Sequence, residues 1–222
     1  MITSRILEDV PGIVHGFGTL EEPMPPFVGE SIEDSQSPRW KQVHGTQSVE
    51  VTSVRQECGE VDALYSKIIS VPISVVTADC VPILMAHKNG LQVAAIHAGW
   101  RGTKARIVRK LWEKISMAGE NPKDWVVAVG PAIGPCCYEV SEELAQDFCL
   151  EFVDLDKQIV LPRKRHLDLP AIHAQELKQM GFGKIDLIRA CTQCSTHPLF
   201  HSFRREGGKT RQWSSVMRLK KP

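Results

Sequence analysis

Three residues able to bind a metal ion lie far apart in the chain. His44 lies in a loop-like segment, Cys80 directly follows an apolar, β-branched run, and His97 ends a later apolar run. Zinc prefers this combination of imidazole and thiolate ligands, and three protein ligands leave a fourth position open, as in catalytic zinc sites. Taken singly, the cysteine would more often be a buried thiol and His44 a surface residue. Together the three residues predict a zinc site at the rim of a sheet.

Arginine side chains and a glycine-containing segment form a candidate anion site. Arg101 lies within residues 97–102 (HAGWRG), whose glycines let the backbone approach a ligand closely. A helix that starts after Gly102 would present free N–H groups to an anion. Arg204 and Arg205 are adjacent guanidinium groups suited to phosphate or carboxylate. The alternatives are a tight strand-to-helix turn and a solvent-exposed turn.

Four further cysteines fall into two pairs. Cys136 and Cys137 are adjacent in a segment rich in glycine and proline, whereas Cys191 and Cys194 form a CxxC pair. We interpret the adjacent pair as part of a rigid loop, with a vicinal disulfide as the alternative. A zinc ribbon needs two CxxC pairs, and the sequence has no second one, so packing is the preferred interpretation of Cys191 and Cys194.

Hydrophobic periodicity and turn residues predict the elements that position these side chains. An Asn89-Gly90 turn predicts a hairpin that brings Cys80 and His97 to neighbouring strand ends. Residues 19–40, rich in Pro, Glu and Ser, are expected to form a loop. Helices are expected over residues 107–115, 141–152 and 169–180. Strands are expected over residues 71–77, 83–86, 91–96, 125–129, 185–188 and 213–219.

The composition indicates a globular protein and narrows the classes of function. The 222 residues carry a formal net charge of +1, which provides no electrostatic field for collecting nucleic acid or anionic lipid. No apolar run is long enough for a transmembrane helix, and the N-terminus lacks the pattern of a secretory signal. We therefore expect one cytoplasmic domain over residues 1–222, with reduced thiols and neither a nucleic-acid nor a membrane partner.

Four short motifs together resemble one known family. Residues 43–45 (VHG), 78–80 (ADC), 97–102 (HAGWRG) and 134–138 (GPCCY) are similar to motifs of the YfiH family. That family is also called the multicopper polyphenol oxidase or laccase-domain family, and it includes peptidoglycan editing factors. The resemblance implies an α/β (α+β) fold built as a four-layer α-β-β-α sandwich. The Thr-Arg-x-Gly-Gly stretch that family members carry near the N-terminus has no counterpart in residues 18–22.

The resemblance also implies site residues and an activity. It implies zinc on His44, Cys80 and His97, with Asp62 and Arg204 at family positions. The implied activity is phosphorolysis of purine nucleosides, with adenosine deaminase and methylthioadenosine phosphorylase activity in the same pocket. The partners would then be a small nucleoside and phosphate. A laccase needs several copper centres rich in histidine, which the eight scattered histidines do not supply, so copper is the secondary choice of metal.

The two reactions and their alternatives would use different residues. Phosphate would bind to Arg101, Arg204 and Arg205. Zinc nucleobase deaminases place a Glu two residues after a ligand His, and its absence here would leave proton transfer to Asp62 or Asp79. One alternative is an amidase that edits peptidoglycan precursors, with Cys80 as nucleophile and His97 as base. The other is a zinc-binding protein without catalytic activity.

Overall fold

The computed structural model describes residues 1–29, 36–208 and 210–220. These residues form eleven strands and seven α-helices. The strands are β1 (Ile13–Phe17), β2 (Arg39–Lys41), β3 (Ser48–Val51), β4 (Glu57–Glu60), β5 (Ala63–Ser66), β6 (Ile73–Thr77), β7 (Val81–His87), β8 (Val93–Ala98), β9 (Trp125–Val129), β10 (Lys184–Leu187) and β11 (Gln212–Arg218). The helices are α1 (Arg5–Glu8), α2 (Trp100–Lys104), α3 (Ile107–Ser116), α4 (Glu142–Glu151), α5 (Lys157–Val160), α6 (Leu169–Gln179) and α7 (Phe203–Glu206).

A six-stranded mixed sheet forms the centre of the fold, in the order β10-β9-β7-β8-β5-β3. Its central strands β7 and β8 form the antiparallel hairpin that the Asn89-Gly90 pair predicts. Gly90 has a φ of 70°, a left-handed conformation that suits glycine in a tight turn. Every residue of β8 is buried, because other parts of the protein cover both faces of this strand. The predicted hairpin is confirmed.

Alternating side chains of β7 enter two separate hydrophobic cores. Ile83 and Met85 pack with α3, α4 and α6 on one face of the central sheet. Leu84 and Ala86 point the other way, toward a three-stranded sheet of order β1-β11-β6. This alternation follows from the two-residue period of a strand. The mixed α/β sandwich that the resemblance implies is confirmed. The two sheets face each other, the longer helices pack on the central sheet, and the short α1 packs against β1 and β9.

Capping side chains start two of the three long helices, and a glycine follows the third. Ser141 accepts a hydrogen bond from Leu144 N at the start of α4, and Asp168 accepts one from Ala171 N at the start of α6. Gly119, with a φ of 84°, follows α3. The three predicted helices are thus confirmed to within a few residues. Within the described ranges, no helix is long and apolar enough to cross a membrane.

The prediction of a loop over residues 19–40 is wrong in two places. Pro26–Val28 form one turn of 3₁₀ helix, and Arg39 lies in β2, which pairs in parallel with β4. Residues 30–35 of the predicted loop lie outside the described residues. Gln42, just after β2, donates a hydrogen bond to Val76 O at 2.8 Å and accepts one from Val76 N at 2.7 Å. These contacts attach the segment before His44 to the edge strand β6.

Candidate functional site

Two strand ends and one loop bring together the three predicted metal ligands. Cys80 directly precedes β7, and His97 lies near the end of the antiparallel β8. His44 lies in the loop after β2, and its ring meets that of His97 edge-on, with 4.8 Å between centroids. One ligand atom from each of the three residues lies within 4.8 Å of the other two. The arrangement suits a single metal ion with nitrogen and sulfur ligands.

Asp62 forms hydrogen bonds with two of these three residues, His44 and His97. Its carboxylate accepts a hydrogen bond from His97 Nδ1 at 2.8 Å, and backbone N–H groups of Val43, His44 and Gly45 donate to it at 3.3, 3.0 and 2.7 Å. Because His97 Nδ1 donates, Nε2 remains the ligand atom. The Asp62 side chain is only 1% exposed and does not line the cavity described below. Its contacts are those of a positioning residue.

The charges of the cluster favour the ligand form of the thiol. Burial by itself raises the pKa of Cys80, but hydrogen bonds and positive charge from His44 and His97 outweigh it and lower the pKa to about 6. Burial by itself lowers the pKa of His97, but its contacts with Asp62 and Cys80 raise that pKa to about 9. Without metal, Cys80 and His97 therefore form a thiolate–imidazolium pair at neutral pH.

Gly99 leaves the space that the cluster needs. A Cβ atom at this position would lie 2.9 Å from His44 Cδ2 and 3.0 Å from Cys80 Sγ. The Gly99 φ of −75° is accessible to any residue, so the space, and not the backbone conformation, requires glycine here. His44, Cys80 and His97 would offer two imidazole nitrogens and one thiolate to an ion, and this donor set fits zinc.

Replacing Gly99 with alanine should therefore weaken metal binding while preserving the fold. The added methyl group displaces His44 and Cys80 from their common centre, and we expect zinc affinity at this site to fall by about 10–100-fold, as for loss of an outer-shell contact. A competition titration with a chromophoric chelator measures this affinity. Gly183→Ala is the matched control, because a Cβ there meets no atom within 4 Å. Equal zinc affinities in the two variants would contradict the prediction.

The three-residue cluster lies in the wall of a cavity of about 750 Å³. Aromatic rings form much of this wall, and the rings of Trp40 and Trp213 meet edge-on with centroids 5.7 Å apart. Burial raises the pKa of Tyr138, which therefore keeps its phenolic proton at neutral pH. Four arginines also line the cavity. The aromatic and cationic lining residues are Trp40, Trp100, Tyr138, Phe203, Trp213, Arg39, Arg101, Arg204 and Arg211.

The three arginines predicted for phosphate occupy different surroundings. The Arg101 guanidinium lies over the Trp100 ring, 4.4 Å from its centroid, at the cavity wall. Arg204 also lines the cavity, and both its terminal nitrogens donate to Glu139 O at 3.2 Å. Arg205 does not line the cavity, because its guanidinium donates to backbone carbonyls that include Gln193 O at 3.0 Å. The geometry thus gives Arg205 a role in holding a loop.

Asp79 lines the cavity but its carboxylate already has two partners. Thr192 Oγ1 donates to Oδ1 at 2.6 Å, and the backbone N–H of Arg204 donates to Oδ2 at 2.7 Å. Asp79 has a φ of 84°, a left-handed conformation that aspartate tolerates better than most residues. Its contacts connect the segment before Cys80 to the loop after β10 and to α7.

The expected helix start after Gly102 is wrong. Helix α2 begins at Trp100, so Gly102 lies inside it, and Gly99 is the residue before its first turn. A Cβ atom on Gly102 would lie 3.0 Å from Gly45 O, which explains the second glycine by close backbone packing. The first turn of α2 therefore packs against the His44 loop.

The cavity residues not predicted from the sequence include Arg39, Trp40, Arg211 and Trp213. Arg39 and Trp40 lie in β2, within the segment assigned to a loop, whereas Arg211 and Trp213 lie at or near the start of β11. No local motif marks them, because the two segments are far apart in the sequence and meet only in the folded protein, where the rings of Trp40 and Trp213 contact edge-on. The only sequence feature that could have marked these cavity residues was the aromatic character of Trp40 and Trp213.

Cys191 and Cys194, interpreted from the sequence as packing residues, lie beside Cys136 and Cys137 in the structure. The four sulfur atoms lie within 4.8 Å of one another. All four thiols are free, and Cys136 and Cys194 are exposed. The loops after β9 and β10 bring them together, because these two strands are parallel neighbours and end at the same edge.

Fold and site together define a class of protein: a mixed α/β sandwich with a His₂Cys cluster in the wall of an aromatic, arginine-rich cavity. Residues 30–220 match the family model described as multi-copper polyphenol oxidoreductase laccase. Two solved structures have the same fold with TM-scores of 0.77. The Bacillus licheniformis protein YfiH is 25% identical, covering 94% of this chain and 93% of that one. YlmD from Geobacillus stearothermophilus is 28% identical, covering 96% and 94%.

Curated relatives agree with this assignment. A purine nucleoside phosphorylase of Synechocystis sp. is 33% identical in a 208-residue alignment that covers 81% of this chain and 78% of the relative. The purine nucleoside phosphorylase YfiH of Escherichia coli is 32% identical over 171 residues, 76% and 69% of the two chains. Adenosine deaminase RL5, from an unknown prokaryotic organism, is 34% identical over 152 residues, 66% and 58%. The chain belongs to the YfiH family.

Proposed function

We propose that the protein is a zinc-dependent purine nucleoside phosphorylase. It would convert adenosine or inosine and phosphate to the purine base and ribose 1-phosphate, and would also accept methylthioadenosine. The observation that carries this proposal is the cavity itself, which combines aromatic walls with four guanidinium groups around the His44–Cys80–His97 cluster. The names of the relatives from Synechocystis sp. and Escherichia coli support the same reaction.

The aromatic wall suits the base, and the arginines suit phosphate. Trp100, Trp213 and Tyr138 present planar rings or ring edges to the cavity, against which a purine can stack. Within the described part of the chain, no carboxylate pairs with the guanidinium of Arg101 or Arg211, so both can bind an anion. Arg204 is held at Glu139 O and adds a third positive charge. We assign phosphate binding to Arg101 and Arg204, with Arg211 as a third phosphate-binding residue.

His44, Cys80 and His97 are the residues that would hold zinc. Bound there, zinc would act as a Lewis acid and polarise an electron-rich substrate atom. Asp62 keeps His97 in the tautomer that exposes Nε2 and fixes the His44 backbone, so the ligands need little rearrangement. Copper is the alternative metal, because the same imidazole and thiolate ligands also bind it.

Adenosine deaminase activity in the same cavity is an alternative to phosphorolysis, and the name of the relative RL5 supports it. It needs a carboxylate that can carry a proton to and from the substrate. Asp62 is buried behind His97, and Asp79 is hydrogen-bonded to Thr192 and to the Arg204 backbone. These contacts favour positioning roles for both carboxylates, and therefore favour phosphorolysis as the main reaction.

The Arg101→Lys variant tests the phosphate assignment. Lysine retains the charge but loses the planar donor fork, so we expect a loss of about 1–3 kcal/mol in phosphate binding. The KM for phosphate should rise by about 5- to 150-fold, while the KM for adenosine changes little. Chromatography of adenine, ribose 1-phosphate and inosine, with and without phosphate, measures both reactions.

Formation of inosine should be less affected by Arg101→Lys, because deamination uses water. Arg5→Lys, an exposed change in α1, is the control. An equal rise in the KM of both substrates would contradict the assignment of Arg101 to phosphate. Inosine as the sole product of the wild-type protein would overturn the phosphorylase proposal.

A second candidate function is amide hydrolysis with Cys80 as nucleophile, for example on peptidoglycan precursors. The thiolate–imidazolium pair of Cys80 and His97, backed by the Asp62 carboxylate, favours it. Metal distinguishes the two functions. A hydrolase of this kind retains activity after chelation and loses it on alkylation of Cys80, whereas the phosphorylase needs the metal.

A further inference from the structure

A four-cysteine cluster lies outside the cavity described above. Cys136 and Cys137 follow β9, Cys191 and Cys194 follow β10, and none of the four lines the cavity. The Sγ atoms of Cys136 and Cys194 are 3.5 Å apart, and all four lie within 4.8 Å of one another. In a tetrahedral zinc–thiolate centre, bonds of about 2.3 Å place the sulfur atoms about 3.8 Å apart. The cluster has nearly this spacing.

Backbone contacts hold the two loops in this arrangement. Ala132 and Cys191 form a β-bridge, in which Thr192 N donates to Ala132 O at 3.1 Å. Backbone N–H groups of Gly134, Gln193 and Cys194 point at Cys191 Sγ, with the Gly134 contact at 3.3 Å. Amide groups directed at the first sulfur of a CxxC turn stabilise negative charge there, and the thiolate is the metal-binding form.

Packing does not explain the cluster. Cys136 and Cys194 are exposed, whereas a thiol that serves as a small apolar side chain is buried. Four unpaired thiols at mutual contact are readily oxidised or bind a soft metal, and the intervening space is of the size that one ion needs. We infer that Cys136, Cys137, Cys191 and Cys194 form a second metal site, which binds one zinc ion through four thiolates.

This zinc would connect two loops that shape the cavity. Tyr138, adjacent to Cys137, lines the cavity. Thr192, within the CxxC turn, donates to the Asp79 carboxylate next to Cys80. Closed four-thiolate sites leave no position for substrate, so this zinc is structural. It would fix the position of Tyr138 in the cavity wall relative to the Thr192–Asp79 hydrogen bond.

Zinc counting tests the inference, with protein purified under reducing conditions without chelator. We expect two zinc ions per wild-type chain and one in Cys191→Ser. His97→Ala should also retain one, and the double variant none. Cys149→Ser, a half-buried cysteine in α4, is the matched control and should retain two. Because each variant removes a different ion, failure of this inference and failure of the His44–Cys80–His97 site are distinguishable.

Cobalt substitution counts the thiolates without a mutation. The intensity of the thiolate-to-cobalt charge-transfer band should be that of one four-thiolate centre plus one single-thiolate centre. If Cys191→Ser does not fold, Cys136→Ser and Cys194→Ser, at the exposed positions, replace it. Wild-type protein with one zinc that Cys191→Ser retains would overturn the inference. Disulfides among these four cysteines in the freshly purified protein, or iron in place of zinc, would also overturn it.

Discussion

Cys80→Ser should lose one zinc equivalent and essentially all phosphorolysis. A neutral hydroxyl is a far poorer zinc ligand than the thiolate that His44 and His97 stabilise. A bound metal contributes several kcal/mol to transition-state stabilisation, so kcat/KM should fall by at least about 1,000-fold. Elemental analysis and product chromatography on the same preparation measure the two effects, and circular dichroism checks the fold.

The control for this variant is Cys58→Ser, a half-buried cysteine in β4. It should retain both the zinc content and the activity of the wild-type protein. Full zinc content in Cys80→Ser would refute the assignment of this ligand. Zinc loss with activity intact would refute the dependence of the reaction on the metal, and would leave the site a structural one.

Asp62→Ala should combine a large loss of stability with weaker zinc binding. The change leaves three backbone N–H groups and His97 Nδ1 without their acceptor in a buried site. Removing one partner of a buried, charged hydrogen-bond network costs about 3–5 kcal/mol. Chemical denaturation of the metal-free protein measures this free energy. Asp147→Ala, which breaks an exposed ion pair with Lys104, should cost under about 1 kcal/mol.

The isosteric Asp62→Asn variant separates stability from zinc binding. An Asn side chain retains the shape but offers only one acceptor oxygen, and its amide group faces donors. We expect the variant to fold and its zinc affinity at the His44 site to fall by about 10–100-fold, the usual effect of losing an outer-shell ligand contact. Unchanged zinc affinity in Asp62→Asn would show that the carboxylate serves the fold alone.

Local sequence patterns predicted much of the fold because the relevant contacts are local. The Asn89-Gly90 turn specifies the β7–β8 hairpin, which places Cys80 beside His97. Periodic apolar residues define α3, and capping side chains mark the starts of α4 and α6. In contrast, β2 is a short strand of mixed burial, and its parallel pairing with β4 leaves no periodic signal.

The site residues that lie in sequence motifs could be predicted from the sequence. The site residues that come together only through tertiary contacts could not. The His44–Cys80–His97 cluster joins three motif residues, so their residue types and the predicted hairpin were sufficient to place them together. The two cysteine pairs meet only because β9 and β10 are parallel neighbours, a pairing that the residues themselves do not reveal. Arg39 and Arg211 converge on the cavity from opposite ends of the chain. Single-sequence patterns contain no information about such convergence.

The contact of Gln42 with β6 has a consequence for how the protein behaves when it is partly unfolded. Strand β6 is at the edge of its sheet, and an uncovered edge offers free N–H and carbonyl groups to strands of other molecules. The Gln42 amide occupies both groups of Val76 and so acts as a one-residue substitute for a neighbouring strand. If the loop that contains His44 detaches from β6, the N–H and carbonyl groups of Val76 lose their partner. Opening of this loop would therefore leave both backbone groups of Val76 free to pair with a strand of another molecule.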